Sequence, residues 1–134
     1  MNAMVSNPDA LVRDFTPDRC NAMLPLVKAI VWDIVTLATE ITSRNERIES
    51  LENSRTRPGN IGDFFAEEFQ EMEDRLRRDC EQLGEYIDEL NALGLELHDA
   101  EMGEVHFPTV LEGKPGYYTW KLGEDSVFPQ PYMV

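Results

Sequence analysis

The chain has 134 residues, of which 42% are hydrophobic, and this combination is typical of one domain with a modest core. Twelve Lys and Arg stand against 26 Asp and Glu, so the formal net charge is −14. A charge of this sign repels a phosphate backbone and an anionic membrane surface, and it argues against nucleic acid and membrane as partners.

The N-terminal part predicts a leader followed by a helix. Residues 1–14 have weak periodicity and contain a Ser-Asn-Pro-Asp turn signal, so we expect a leader segment there. Thr16 can cap a helix and Pro17 suits its first position. Because no basic stretch precedes an apolar run, we predict no signal peptide. Because the apolar residues 24–38 include Lys28 and Asp33, we predict no membrane span, and we expect a cytoplasmic protein.

The first predicted helix, residues 16–54, carries an apolar stripe whose members recur every three or four residues. The stripe consists of Val27, Ile30, Ile34, Leu37, Ile41, Ile48 and Leu51. From residue 24 to residue 38 nearly every side is apolar, with Trp32 opposite the stripe, so this part needs more than one covering neighbour. Beyond Thr42 the helix is polar outside the stripe, which predicts a projecting arm.

The second predicted helix, residues 61–93, has a matching stripe and ends before Gly94. This stripe consists of Phe65, Phe69, Met72, Leu76, Leu83, Tyr86, Leu90 and Leu93. Both stripes are hidden if the helices fold into an antiparallel, coiled-coil-like hairpin with a tip loop at residues 53–60. Neither helix contains a His, which excludes a carboxylate-bridged di-iron bundle.

After Gly94 the hydrophobic period changes from helical to two, which indicates strands. Residues 95–122 are therefore predicted to form a three-stranded antiparallel meander. The Glu112-Gly113 pair suits a tight turn. The register that this turn sets places Val105 opposite Trp120 and Phe107 opposite Tyr118.

The meander is expected to pack at the base of the first helix, where its aromatic face would cover Trp32. Residues 124–134 are expected to be an extended tail. The predicted fold is thus a single domain over residues 1–134, of class α+β and mainly α. Its two cysteines are expected to be unpaired, because Cys20 and Cys80 would lie far apart along the hairpin.

Four blocks of sequence follow a known pattern. Residues 15–25 are similar to F-[ST]-x-x-x-A-N-x-x-L-P. Three later blocks, at residues 94–99, 103–108 and 117–124, are similar to G-x-E-x-K-D, G-x-V-D-F-P and Y-x-x-W-x-L-G-E, respectively. On these motifs the chain resembles the domain of unknown function 2203 family of bacterial proteins. His98 and His106 stand where Lys and Asp are common in that family. Because the family has no established activity, the resemblance implies the architecture and supplies no mechanism.

His98 and His106 form a candidate metal site. If Leu97 and Phe107 share the buried face of the meander, the register also sets His98 directly across from His106. Opposed histidines can chelate zinc or a similar divalent ion, and Glu104 can complete the ligand set. The competing interpretation is an exposed polar face on which two histidines meet by chance.

Two functions follow from these patterns. The first is a non-enzymatic interaction or structural protein that self-associates through its hairpin, most simply as a twofold dimer. Its expected interface consists of Ile30, Trp32, Ile34, Leu37, Phe69 and Leu76. The alternative is a small metal-binding protein or hydrolase-like enzyme with a site around His98 and His106. No catalytic residue is identified, and a divalent metal is the one candidate cofactor.

Overall fold

The structure is a computed structural model that describes residues 15–55 and 62–131. It consists of two long helices followed by a four-stranded antiparallel sheet. The mainly helical α+β class is therefore confirmed. The predicted leader at residues 1–14, most of the tip loop and the last three residues of the tail lie outside the described residues.

The two helices begin and end close to the predicted positions. Helix α1 spans Pro17–Arg55 and helix α2 spans Gly62–Ala92. Thr16 caps α1, since its Oγ1 accepts a hydrogen bond from the backbone N–H of Arg19 at 3.2 Å. At the other end of the pair, Gly94 has a φ of 92°, the left-handed conformation that glycine adopts readily after a helix.

The helices form an antiparallel hairpin. Arg44 of α1 forms an ion pair with Asp79 of α2. Nearer the tip, Leu51 lines the same groove as Met72. Towards the sheet, residues around Leu37 lie beside Tyr86. Positions later in α1 therefore meet positions earlier in α2.

The sheet has one strand more than predicted. Strands β1 (Glu96–Asp99), β2 (Glu104–Leu111), β3 (Lys114–Lys121) and β4 (Phe128–Pro131) lie side by side in that order. The predicted three-stranded meander is present as β1–β3, and the tail, which was expected to be extended, adds β4 as a fourth strand. Two of the four residues of β4 are prolines. They are tolerated because β4 is an edge strand, where a missing N–H breaks no ladder between two neighbours.

The predicted register of β2 and β3 is confirmed. Val105 pairs with Trp120, and Phe107 pairs with Tyr118. Glu112 and Gly113 form the connecting turn with φ angles of 50° and 81°. Positive φ at both positions is what a two-residue turn of the I′ type requires.

One face of the sheet packs on the first half of α1 and on the end of α2. The core contains Phe15, Cys20, Leu24, Val27, Ile30, Val31, Ile34, Leu90, Leu95, Val105, Phe107, Tyr118, Trp120 and Val127. Two hydrogen bonds join the sheet to the start of α1. The Thr109 hydroxyl donates to the Phe15 carbonyl at 3.1 Å, and the Val127 N–H donates to Asn21 Oδ1 at 3.1 Å.

Trp32 does not lie under the sheet, and that expectation was wrong. Trp32 exposes 63% of its surface to solvent. A helix turns about 100° per residue, so Trp32 points about 200° away from the buried Ile34. The sheet covers the side of α1 that carries Val27 and Val31, and it cannot also reach the opposite side.

Helix α1 is also long and apolar enough to span a membrane, judged by length and composition alone over Pro17–Asn53. The core helix of a soluble protein and an N-terminal signal sequence both pass the same test, so the observation is weak evidence. One third (33%) of the apolar window is buried inside the chain.

Candidate functional site

The outer face of the sheet, which points away from the helices, carries the predicted metal-site residues. Side chains alternate along β2, so Val105 and Phe107 enter the core while Glu104 and His106 point to the outer face. His98 comes from β1 and Tyr117 from β3. Three adjacent strands therefore contribute to one cluster.

The structure brings His98, Glu104 and His106 together. Glu104 Oε2 lies 2.9 Å from His106 Nε2 and 4.0 Å from His98 Nε2. One donor atom from each residue lies within 4.8 Å of the other two. Both imidazoles thus direct the same ring nitrogen towards one carboxylate oxygen.

Ring stacking holds the central histidine in place. The His106 ring lies between the Tyr117 ring, at a centroid distance of 3.9 Å, and the His98 ring, at 4.5 Å. The His106 side chain is consequently only 9% exposed, whereas His98, on the outside of the stack, is 59% exposed. The sequence pattern favoured a core position for Tyr117 and did not assign it to this cluster, although the β2–β3 register could have placed it diagonally beside His106.

The predicted register of β1 was wrong. Leu97 pairs with Val105 instead of Phe107, and Glu96 rather than His98 lies across from His106. The register then shifts between Leu97 and Asp99, which is the effect of an extra residue in a bulged strand. His98 therefore reaches His106 diagonally, and the histidines stack instead of facing each other across the ladder.

The turn between β1 and β2 fixes the spacing of these residues. Asp99 Oδ1 accepts hydrogen bonds from the backbone N–H groups of Glu101 and Met102, each at 3.0 Å. The Gly103 N–H donates to the Asp99 carbonyl at 2.9 Å. The carboxylate of Asp99 is thus engaged in the turn, and the turn leads directly into Glu104.

A family profile described as "Uncharacterized conserved protein (DUF2203)" matches residues 13–128. This chain belongs to the DUF2203 family. The match covers both helices and the first three strands, including the three clustered residues. No curated protein and no solved structure matches the chain significantly.

The residues expected to form a dimer interface in this DUF2203 chain fall into two groups. Trp32 is exposed and Leu76 is partly buried. The other four, Ile30, Ile34, Leu37 and Phe69, are at most 9% exposed. These four pack inside the chain, so they offer little surface to a second copy in this conformation.

An apolar surface is instead exposed on the far side of α1 in the DUF2203 chain. We call it the Trp32 face, and it consists of Ala22, Pro25, Leu26, Ala29, Trp32 and Thr36, all exposed. Their three- and four-residue spacing puts them on one side of the helix. Beside this face, α1 and α2 enclose a groove of about 200 Å³ lined by Asp33, Thr36, Leu37, Glu40, Gln82 and Tyr86.

Proposed function

We propose that this DUF2203 protein is a non-enzymatic interaction protein that self-associates as a twofold dimer through the Trp32 face. The observation that carries the proposal is the exposure of two large apolar side chains on this face, 63% for Trp32 and 53% for Leu26. Contiguous exposed apolar patches on soluble chains usually mark interaction sites. Tryptophan is also among the residues that contribute most binding energy at interfaces.

The shape of this surface favours a second copy as the occupant. Trp32 projects from the face, and the groove lined by Leu37 and Tyr86 lies beside it, with Asp33 as its first lining residue on α1. In a twofold contact the same patch serves both copies, so a projection and a depression on one patch can satisfy each other reciprocally. The groove also offers the carboxylates of Asp33 and Glu40 as acceptors for the indole N–H.

The charge distribution supports the same geometry. Residues 1–60 contain eight acids and seven bases, a sum of −1, whereas residues 61–134 contain 18 acids and five bases, a sum of −13. Pairing through α1 brings together the nearly neutral parts of two acidic chains. Any contact through α2 or the sheet would bring together strongly acidic surfaces, which repel each other.

A cytoplasmic location and the lack of nucleic-acid or membrane partners remain predictions within this proposal. The net charge of −14 supports them, since phosphate groups and anionic lipids are repelled by an acidic surface. In this proposal, one apolar side of α1 packs against the core and the other packs against a second copy of the chain.

Sedimentation equilibrium over protein concentrations from micromolar to near-millimolar tests the proposal. We expect a monomer–dimer equilibrium in which Trp32→Ala raises the dissociation constant about 1,000-fold, because a twofold dimer loses about 2 kcal/mol at each of its two Trp32 hot spots. Phe128→Ala is the matched control, because Phe128 is an exposed aromatic residue on the sheet, and it should leave the equilibrium unchanged.

Added salt sharpens the same experiment. Screening weakens repulsion between two acidic chains and leaves apolar contact intact, so the dimer should become tighter as the salt concentration rises. A chain that is monomeric at every concentration contradicts the proposal. A dimer that Trp32→Ala leaves unchanged contradicts the assigned surface.

A further inference from the structure

We propose that His98, Glu104 and His106 bind one divalent transition-metal ion, and that Zn²⁺ suits the site best. The proposal does not depend on self-association, because the cluster lies on the outer face of the sheet and the Trp32 face lies on α1. It concerns a binding site and assigns no reaction to it.

The donor atoms are of the right kind. Zn²⁺ is bound in proteins by imidazole nitrogen, thiolate sulfur and carboxylate oxygen, and two imidazoles with one carboxylate form a recurrent three-ligand set. A carboxylate also offsets one of the two charges of the ion, and an acidic chain with a net charge of −14 attracts cations to its surface. Histidine ligands, unlike carboxylates alone, favour transition metals over Ca²⁺ and Mg²⁺.

The spacing is close to what tetrahedral coordination needs. Ligands at 2.0–2.1 Å from zinc place neighbouring donor atoms about 3.3 Å apart. The observed distances from Glu104 Oε2 to His106 Nε2 and His98 Nε2, 2.9 Å and 4.0 Å, lie on either side of that value. The two imidazole nitrogens lie within 4.8 Å of each other. Closing the site requires the mostly exposed His98 ring to leave its stack on His106 and turn its Nε2 towards the ion.

A simple hydrogen bond explains only part of this arrangement. The contact between His106 and Glu104 at 2.9 Å is a normal hydrogen-bond distance. His98 lies at 4.0 Å from the same oxygen, beyond hydrogen-bonding range. Its Nε2 nevertheless faces the same carboxylate oxygen while its ring stacks on His106. An ion between the three atoms would use all of them.

The supporting structure is already built around the inner ligands. Glu104 and His106 lie on a strand paired on both sides, with Lys121 and Thr119 as their partners in β3. Tyr117 closes the inner side of the His106 ring. Sites on regular elements hold ligand geometry better than sites on loops. The exposed side, next to His98, leaves the fourth coordination position to water, as in zinc sites with three protein ligands.

Imidazole ¹⁵N NMR of the full chain tests the assignment directly, because the sequence contains only two histidines. Chelator-treated protein is titrated with Zn²⁺. We expect both Nε2 resonances to shift together and to saturate at one ion per chain. Calorimetry on the same samples gives the stoichiometry and the affinity.

Three variants separate this site from other acidic surfaces. His98→Ala and Glu104→Gln should each weaken Zn²⁺ binding by about 100-fold, since even the loss of an outer-shell partner costs 10–100-fold. Glu112→Gln is the matched control, because Glu112 is an exposed carboxylate in the turn at the other end of β2, and its affinity should equal that of the parent chain. His98 is largely exposed, so its replacement leaves the fold intact, which amide spectra verify.

Two results would overturn the proposal. One is saturation of the calorimetric signal without movement of either Nε2 resonance, which would mean that zinc binds the acidic surface only. The other is an affinity that His98→Ala and Glu104→Gln leave equal to that of the Glu112→Gln control.

Discussion

The two tryptophans lie in opposite environments on either side of the first helix. Trp120 is fully buried between the sheet and α1, and its indole N–H donates to the Glu124 carbonyl at 2.9 Å. Trp32 projects from the other side of α1 and is mostly exposed. A helix that is apolar on every side can be covered only in part by one small sheet. The sheet-covered core stabilises the chain, whereas the Trp32 face is exposed to solvent in the single chain.

The two tryptophans should differ most in how much each contributes to the free energy of unfolding. Trp120→Ala removes a large buried side chain and leaves a cavity, so it should cost about 4 kcal/mol. Trp32→Ala should change the stability of the monomer by less than about 0.5 kcal/mol, as surface substitutions usually do. Urea denaturation at micromolar protein concentration measures both. Equal losses would show that the two regions do not differ as described.

The two cysteines differ in burial and should therefore differ in chemical reactivity. Cys20 is in the sheet-covered core, where burial raises the pKa of its thiol from 9.0 to about 12, whereas Cys80 is exposed on α2. Only the thiolate reacts with iodoacetamide, so Cys20 in the folded chain should be alkylated about 100-fold more slowly than Cys80. Mass spectrometry of the labelled peptides measures the ratio. Similar rates would mean that the core opens readily.

The raised pKa of Cys20 should also make the free energy of unfolding depend on pH. Because the folded-state pKa of Cys20 is raised, the unfolded chain loses the thiol proton at a lower pH than the folded chain does. The free energy of unfolding should therefore fall as the pH rises above about 9, and the fall should be smaller in Cys20→Ala. An identical decline in both proteins would rule out this contribution.

Substitution of Gly103, which lies at the edge of the core, should also lower the free energy of unfolding. Gly103 has a φ of 73°, and a Cβ there would lie 2.9 Å from Val35 Cγ2 and 3.0 Å from Val31 Cγ1. Gly103→Ala should cost about 2 kcal/mol, from backbone strain and from overpacking against α1. Gly113 has a similar φ of 81° in open space, so Gly113→Ala should show only the backbone part, about 1 kcal/mol. Equal costs would mean that the turn is not pressed onto the helix.

The smallest effect lies in the arm, beyond both regions. Arg44 interrupts the apolar stripe of α1 and pairs with Asp79 of α2 at a partly exposed position. A double-mutant cycle with Arg44→Met and Asp79→Asn should give a coupling energy of about 0.5–1 kcal/mol. A coupling above about 2 kcal/mol would indicate a pair that is shielded from water, and the arm would then be a better-packed region than its exposure suggests.

Local patterns in the sequence were sufficient for the helices and for one hairpin. The apolar spacing in α1 and α2 repeats over many turns, so it survives small local irregularities. The β2–β3 register was predictable because Glu112 and Gly113 fix it through a two-residue turn. In both cases the information lies within a short stretch of chain.

The sequence-based predictions were wrong where the structure depends on packing between distant segments of the chain. Proline is disfavoured inside a sheet, and only the edge position of β4 makes its two prolines acceptable. Leu97 pairs two residues away from its predicted partner, and the register shifts again after Leu97, which no local signal marked. The candidate metal cluster was predicted through the wrong register, yet its members still meet because the diagonal distance between His98 and His106 is also short.

The position of Trp32 is the most instructive of these errors. The sequence showed that α1 is apolar on several sides, but it did not indicate which side the sheet would cover. That choice depends on the direction in which the chain leaves α2 at Gly94 and on the contacts of Phe15 and Thr109.

Fluorine NMR of protein labelled with 5-fluorotryptophan tests the covering of Trp32 most directly. The chain has two tryptophans, so the buried Trp120 serves as an internal control, and Trp32→Phe assigns the signals. We predict that the Trp32 resonance shifts and loses its solvent isotope effect as the protein concentration rises, while the Trp120 resonance stays constant. A Trp32 resonance that remains solvent-exposed at every concentration would contradict the account.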